Sequence, residues 1–309
     1  MTKYYYHCSL MPNLIMPERQ SRVFDRSRSM FDLPDIEVLT PIGKLCNPKS
    51  IDQLFYDRAQ SIIQIAGTRK IIISWSGGID STSVLVAFLM TAPKSQLVVL
   101  MNNDSIEEYP DFYNKYIKDQ LEVIEMSSIL VLEQCIKDGI VVTGETFDPT
   151  FGDESTHPAE LLYFSLDKFL KPLNKYTQDC YSRSIEACPT KLTNVKEFFW
   201  WMYYCICYQW GETHWLLYND NLIIEKNIFH FPSNQDWNDY AVSTPTEVRF
   251  PGNDYRNFKI ELKNYIYRFT KDEYYRKNKI KYPSLNNNIM HRHDECLYIK
   301  TDWTRGHNL

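Results

Sequence analysis

The feature that most constrains this chain is a glycine pair, Gly77-Gly78, set between a strand-like run and a helix-like run. Upstream, Lys70-Ile71-Ile72-Ile73-Ser74 is β-branched and predicts a short buried strand over 70–74. Downstream, Val84, Leu85, Phe88 and Leu89 recur at helical spacing over 81–90. Glycine is scarce here, 10 in 309 residues, against a usual share of roughly 7%, so its one adjacent pair is informative. A strand, a glycine turn and a helix opening on hydroxyl side chains aim backbone N–H groups and the positive helix end at one point. Glycines let an anion approach the backbone without a Cβ in the way. The segment therefore predicts a phosphate-holding loop, with Ser76, Gly77, Gly78, Asp80, Ser81 and Thr82 as its candidate contacts. No GK[ST] follows and GxGxxG is absent, which excludes a Walker A loop and a dinucleotide fingerprint. An Asp inside a phosphate loop repels the ligand unless a divalent cation lies between, so Asp80 implies Mg²⁺. The plainer alternative is a tight turn with a helix cap.

Further along, the spacing predicts a helix over 51–66, a strand over 96–101, a helix over 106–117, a strand over 121–125, a helix over 129–137 and a strand over 140–143. Such alternation predicts a parallel sheet with right-handed crossovers. After about residue 157 the pattern turns to helices, over 160–170, 194–210, 259–269 and 271–279. The helix over 194–210 is apolar nearly all round and is expected in a core rather than as a base-stacking platform. Three parts follow: an irregular extension over 1–55 broken by Pro12, Pro17, Pro34, Pro41 and Pro48, an α/β domain over 56–180, and a mainly helical part over 181–309.

Several function classes recede. A net charge of -5 argues against a general nucleic-acid coat. The longest apolar run, 198–208, is well short of the about 20 residues that span a bilayer. The start of the chain lacks the continuous apolar stretch of a secretory signal. The 8 cysteines contain no CxxC pair and are expected as free thiols, mostly buried, in a reducing cytoplasm. His291, His293, Asp294 and Cys296 match no standard zinc spacing.

After the fourth predicted strand comes a second unusual loop, Val142-Thr143-Gly144-Glu145-Thr146-Phe147-Asp148-Pro149-Thr150-Phe151-Gly152. The first loop, Ser76-Gly77-Gly78-Ile79-Asp80-Ser81, resembles the SGG-x-DS pyrophosphate (PP) loop of the N-type ATP pyrophosphatases, which include asparagine, argininosuccinate, GMP and NAD synthetases and several tRNA-modifying enzymes. The second resembles the [ST]GE-x-x-D-x-x-FG loop of the asparagine synthetase and β-lactam synthetase branch, with Pro149 standing where a second acid is common.

The resemblance implies a HUP-type (adenine nucleotide alpha hydrolase-like) α/β fold, a parallel sheet flanked by helices and followed by a mainly helical C-terminal part. It implies an ATP-dependent ligase that adenylates a carboxylate, releases pyrophosphate, and passes the acyl group to ammonia or another amine. Glu145 would then act near the reacting carboxyl, and Asp80 and Asp148 would share Mg²⁺. Thr143 and Gly144 would line the pyrophosphate, and strand-end backbone at Ser74, Met101 and Asn102 would read adenine. A lysine would meet charge on the α-phosphate, Lys279 first and Lys277 second. The other reading of Lys271, Arg276, Lys277, Lys279 and Lys281 is a solvated basic face. Asn238, Ala241, Glu247, Arg249 and Pro251 echo a region that lines the family's substrate pocket. The likeness covers roughly 56–285 and includes no glutaminase domain, for Thr2 stands where that domain carries a cysteine. Expected partners are ATP, a small carboxylate, an amine and an ammonia-supplying protein. A tRNA-modifying ATP pyrophosphatase and a non-catalytic ATP-binding relative are the alternatives.

Overall fold

The computed structural model describes residues 25–29, 40–151, 165–206, 208, 227–249 and 259–279. Its strands are β1 (Lys70–Ser74), β2 (Leu97–Met101), β3 (Glu122–Glu125), β4 (Gly139–Thr143) and β5 (Ile228–His230). They form one all-parallel sheet in the order β3-β2-β1-β4-β5. Ile71, Ile73, Leu97, Val99, Ile140 and Val142 point to one face, packed with residues of α1 (Ile51–Ala66), α2 (Ile79–Thr91) and the helix Ile260–Thr270. Ile72, Val98, Leu100 and Val141 point to the other, against Leu132, Cys135 and Ile136 of the helix Ile129–Asp138. Burial on both faces is why the central strands read as continuous apolar runs.

The α/β expectation holds, with three differences of detail. β5 lies in the half expected to be mainly helical; three residues show no period, and the strand exists through its pairing with β4, where Thr143 meets His230. The helix expected over 106–117 is broken at Pro110. The helix α3 (Asn103–Glu108) ends there, Tyr109 is extended at φ -146°, and Tyr113–Ile117 forms a wide helical turn. Proline pushes its predecessor out of the helical region. A helix at Lys175–Glu186, capped by the Asn174 side chain, went unread because its sequence is mostly polar. The apolar helix over 194–210 is observed at Val195–Ile206, and its Phe198, Trp200, Trp201 and Tyr204 are core, as expected. Of the helix expected over 160–170, Leu166–Leu170 is helical and the rest lies outside the described residues.

The described part of the N-terminal extension inserts into this helical cluster. Arg26 lies 3.8 Å from the ring centres of both Tyr204 and Tyr208, and donates to the Tyr204 carbonyl at 3.0 Å and to Asn238 Oδ1 at 2.9 Å. The described cysteines are free thiols: Cys135, Cys180 and Cys205 are buried, Cys188 half-buried and Cys46 exposed. Cys8, Cys207, Cys296 and the histidine-containing tail lie outside the described residues. Among the described residues no helix is long and apolar enough to cross a membrane.

Candidate functional site

The strand order reverses between β1 and β4. The chain steps outward from β1 through β2 to β3, then returns to the other side of β1. In open parallel sheets a crevice opens at the C-terminal strand ends where the order reverses. The loops leaving β1 and β4 there are the two that the sequence singles out.

The first loop is held from several sides. Trp75 N–H donates to the Leu100 carbonyl at 2.9 Å, and the buried indole Nε1–H donates to Thr82 Oγ1 at 3.0 Å. Thr82, expected at the phosphate, is fully buried and pins the turn from beneath. Ser81 Oγ accepts from Ser76 N–H at 3.0 Å and lies 3.0 Å from Ser76 Oγ. Gly77 sits at φ 77°, in the left-handed region, and a Cβ there would lie 2.4 Å from the Ser105 carbonyl oxygen. Glycine is thus required twice over at this position. No side chain caps the start of α2 at Gly78, the arrangement that leaves helix N-terminal N–H groups for an anion. Ser74 and Met101 end β1 and β2 at the same edge.

The second loop touches the first. A Cβ on Gly144 would lie 2.9 Å from the Asp80 carbonyl carbon. The short helix Phe147–Phe151 carries Asp148 toward Asp80, and both carboxylates meet one cation. The Lys259 ammonium, 1% exposed, donates to Asp80 at 2.6 and 2.5 Å and also to Asp148. Lys259 has left-handed backbone, φ 50° and ψ 38°, at the start of the helix Ile260–Thr270. Nothing in the sequence set Lys259 apart from other lysines.

The geometry fits the Mg²⁺ that the sequence implies. Mg²⁺ is commonly held by one or two carboxylates together with substrate phosphates, not by an all-protein cage. Asp80 and Asp148 converge on a single cationic centre beside the glycine loop, and they are the residues that would hold the ion. Among the described residues no group of three or more His, Cys, Asp or Glu converges as a cage.

The C-terminal lysines separate clearly. Lys279 is turned in, its side chain 8% exposed, and its ammonium lies 2.8 Å from Glu108 of α3. Glu108 borders the same loop, for a Cβ on Gly77 would lie 2.8 Å from its Cβ and one on Gly78 3.7 Å from its Oε1. The buried Lys263 donates to the Lys279 carbonyl at 3.0 Å and fixes the chain there. Lys277 points away, 65% exposed and paired with Glu273. Tyr275 stacks on Tyr109 at 4.0 Å. Burial, then the neighbouring Tyr109 and Glu108, push its hydroxyl well above the usual tyrosine range, so it stays protonated.

Glu145 is half-buried, and its Oε2 lies 4.0 Å from Nδ1 of His230 at the end of β5. The same Nδ1 lies 2.8 Å from Thr143 Oγ1. His230 was invisible in the sequence because β5 was. Asn238 and Arg249, expected at a substrate pocket, instead lie buried in the helical cluster. Arg249 sits 3.4 Å over the Trp200 ring and donates to the Ala241 carbonyl at 2.9 Å. Gly152, Phe250 and Pro251 lie outside the described residues.

The fold thus brings Ser76, Gly77, Gly78, Asp80, Gly144, Asp148, Lys259 and Lys279 together at the C-terminal strand ends, with Glu145 and His230 on the β5 side. Neither a scan against protein-family models nor a search of curated proteins finds a match to this chain.

Proposed function

We propose that the chain is an asparagine synthetase-like, AMP-forming carbon–nitrogen ligase of the cytoplasm, built on a HUP-type sheet. The observation that carries this reading is the convergence of the two loops, with Asp80 and Asp148 on one cation at the reversal of strand order. The likeness of the first loop to a pyrophosphate loop, with no GK[ST] after the glycines, favours a nucleotide whose pyrophosphate leaves over transfer of a terminal phosphoryl group.

The chain's own residues divide the work. Backbone around Gly77-Gly78 and the start of α2 grips the departing phosphates. Asp80 and Asp148 would hold Mg²⁺, which when bound neutralises charge on the leaving pyrophosphate. An acceptor carboxylate oxygen bonds to the α-phosphorus, the bond to the bridging oxygen breaks, and pyrophosphate departs with its electron pair. Lys279 meets the charge that develops on the α-phosphate, a role a mobile ammonium suits. An amine then attacks the acyl carbon, AMP leaves, and Glu145, oriented beside His230, takes the proton that the nitrogen loses.

A second reading has one observation in its favour. The Lys259 ammonium already neutralises the two aspartates, as it would in a non-catalytic ATP-binding relative. Turnover separates the readings. The purified chain is incubated with Mg-ATP, ammonia and a library of carboxylates including amino acids, and its products are chromatographed. AMP and pyrophosphate formed only with a carboxylate present support the ligase. ADP sinks it, and ATP binding without product favours the non-catalytic relative.

A further inference from the structure

We infer that Lys259 is a positioning residue that excludes bare divalent cations from the Asp80–Asp148 pair, so that metal enters only together with an anionic phosphate partner. The inference rests on the reading of that pair as the metal site and adds a rule for how the site fills.

The argument is one of charge. Two carboxylates facing each other with no cation between them repel, and burial strengthens the repulsion. Lys259 removes that repulsion in the ligand-free chain. Its side chain is 1% exposed and reaches both carboxylates, whose own exposure is 24% each. The three groups together carry a formal charge of minus one. A dication on the two aspartates must displace the ammonium, and the displaced ammonium stays tethered within a few ångströms of it. Two positive centres in a partly buried place oppose each other, which weakens binding of the bare ion. Phosphate groups arriving with the ion add negative charge that offsets this repulsion. Metal and phosphate should therefore each raise the affinity for the other, as linked sites must. The backbone fits this role. Lys259 takes left-handed φ and ψ at the first turn of the helix Ile260–Thr270, and that helix packs on α2, which carries Asp80. The ammonium thus sits at the cap of one helix, facing carboxylates carried by two others.

The test uses Mn²⁺ alone, followed by electron paramagnetic resonance, on the full chain without nucleotide. Lys259→Met keeps the length and apolar stem of the side chain and removes the charge. We expect it to bind bare Mn²⁺ about tenfold or more tighter than the wild type, within the ordinary range of coupled sites. Adding Asp148→Asn should abolish the gain. In wild type, 1 mM pyrophosphate should tighten Mn²⁺ binding, and in Lys259→Met it should do so less. Equal or weaker Mn²⁺ binding by Lys259→Met overturns the inference. If Lys259→Met melts early, Mn²⁺ should raise its melting temperature more than that of wild type. A variant that stays unfolded with Mn²⁺ overturns the inference too, since the ion is argued to replace the ammonium. The readout needs no turnover. A gain in Mn²⁺ affinity without any AMP formation sinks the ligase and keeps this rule, and AMP formation without the gain does the reverse.

Discussion

Among the described residues, the strand ends and the helical cluster each bury a cation, and they do so in opposite ways. At the strand ends, Lys259 is held by two carboxylates. In the helical cluster, Arg249 lies on the Trp200 face and donates to a backbone carbonyl, and Arg26 lies between two tyrosine rings. Burial pulls Arg249 down to about 10, still well above neutrality, so it stays charged. The difference teaches what each place is for. A cation balanced by carboxylates can be exchanged for another cation while its partners stay put. A guanidinium stacked on indole is matched in shape as well as charge, and only that group fits.

The largest expected effects come from deleting one partner in each region. Asp80→Asn should lower pyrophosphate release by about 10²–10³ or more, the usual loss on removing one electrostatic partner of a transition state. Its melting temperature should move little, because Asp148 still pairs with Lys259 and no buried charge is left alone. Arg249→Ala should do the opposite. It loses a desolvated cation–π contact and leaves the Ala241 carbonyl unpaired, together about 2–4 kcal/mol. That is a fall in melting temperature of roughly 5–10 °C, with turnover at a permissive temperature nearly kept. Calorimetry and a product assay on both variants check the contrast. An inactive but stable Arg249→Ala, or an unfolded Asp80→Asn, breaks it.

The next effect is smaller and sharpens the site half of the comparison. Lys279→Ala should lower the adenylation rate by about 10²-fold, in kcat more than KM, whereas Lys277→Ala should stay within about twofold, as a solvated surface pair is worth little. Losing Lys279 also leaves the Glu108 carboxylate unbalanced beside the glycine loop, 13% exposed. The double variant Lys279→Ala, Glu108→Gln should therefore bind pyrophosphate better than Lys279→Ala alone. Additive losses in that cycle would mean that Glu108 and Lys279 act independently.

Much of this was legible in the sequence, and the parts that were not share a cause. The β1 run, the glycine pair and the phase of α1 are local patterns, and each is found where periodicity put it. The convergence of Asp80 with Asp148 is long-range, yet two short motifs flagged both ends. Lys259, Glu108 and His230 carry no motif. Lys259 reaches the site because its helix crosses α2, Glu108 because Pro110 stops α3 beside Gly77, and His230 because three residues add a strand to β4. Composition around them looks like any surface segment. Arg249 failed in the other direction: its neighbourhood echoed a pocket motif, but the aromatic helix Val195–Ile206 claims it for packing.

The smallest expected effect probes the helical cluster by pH. Burial pushes the Tyr204 hydroxyl from its ordinary 10.0 up to about 12, and that hydroxyl donates to Asn238 Oδ1 at 2.6 Å beside the Arg26 guanidinium. The folded chain holds this proton more tightly than the unfolded chain does. The contribution is fully present below pH 10 and is lost as the pH rises toward about 12. Over that window the unfolded chain binds fewer protons, so unfolding free energy falls with pH by roughly 1–1.5 kcal/mol per pH unit for one proton. Tyr240 and Tyr265, raised by the same cause, steepen the total. Tyr204→Phe should cost about 1 kcal/mol at neutral pH for the lost hydrogen bond. Its stability should then decline less steeply between pH 10 and 12, by about one proton in urea melts. An unchanged slope would mean that Tyr204 ionises as readily in the folded chain as in the unfolded one. The cluster would then be open to water around the very rings that clasp Arg26, and its contrast with the exchangeable cation at the strand ends would lose its basis.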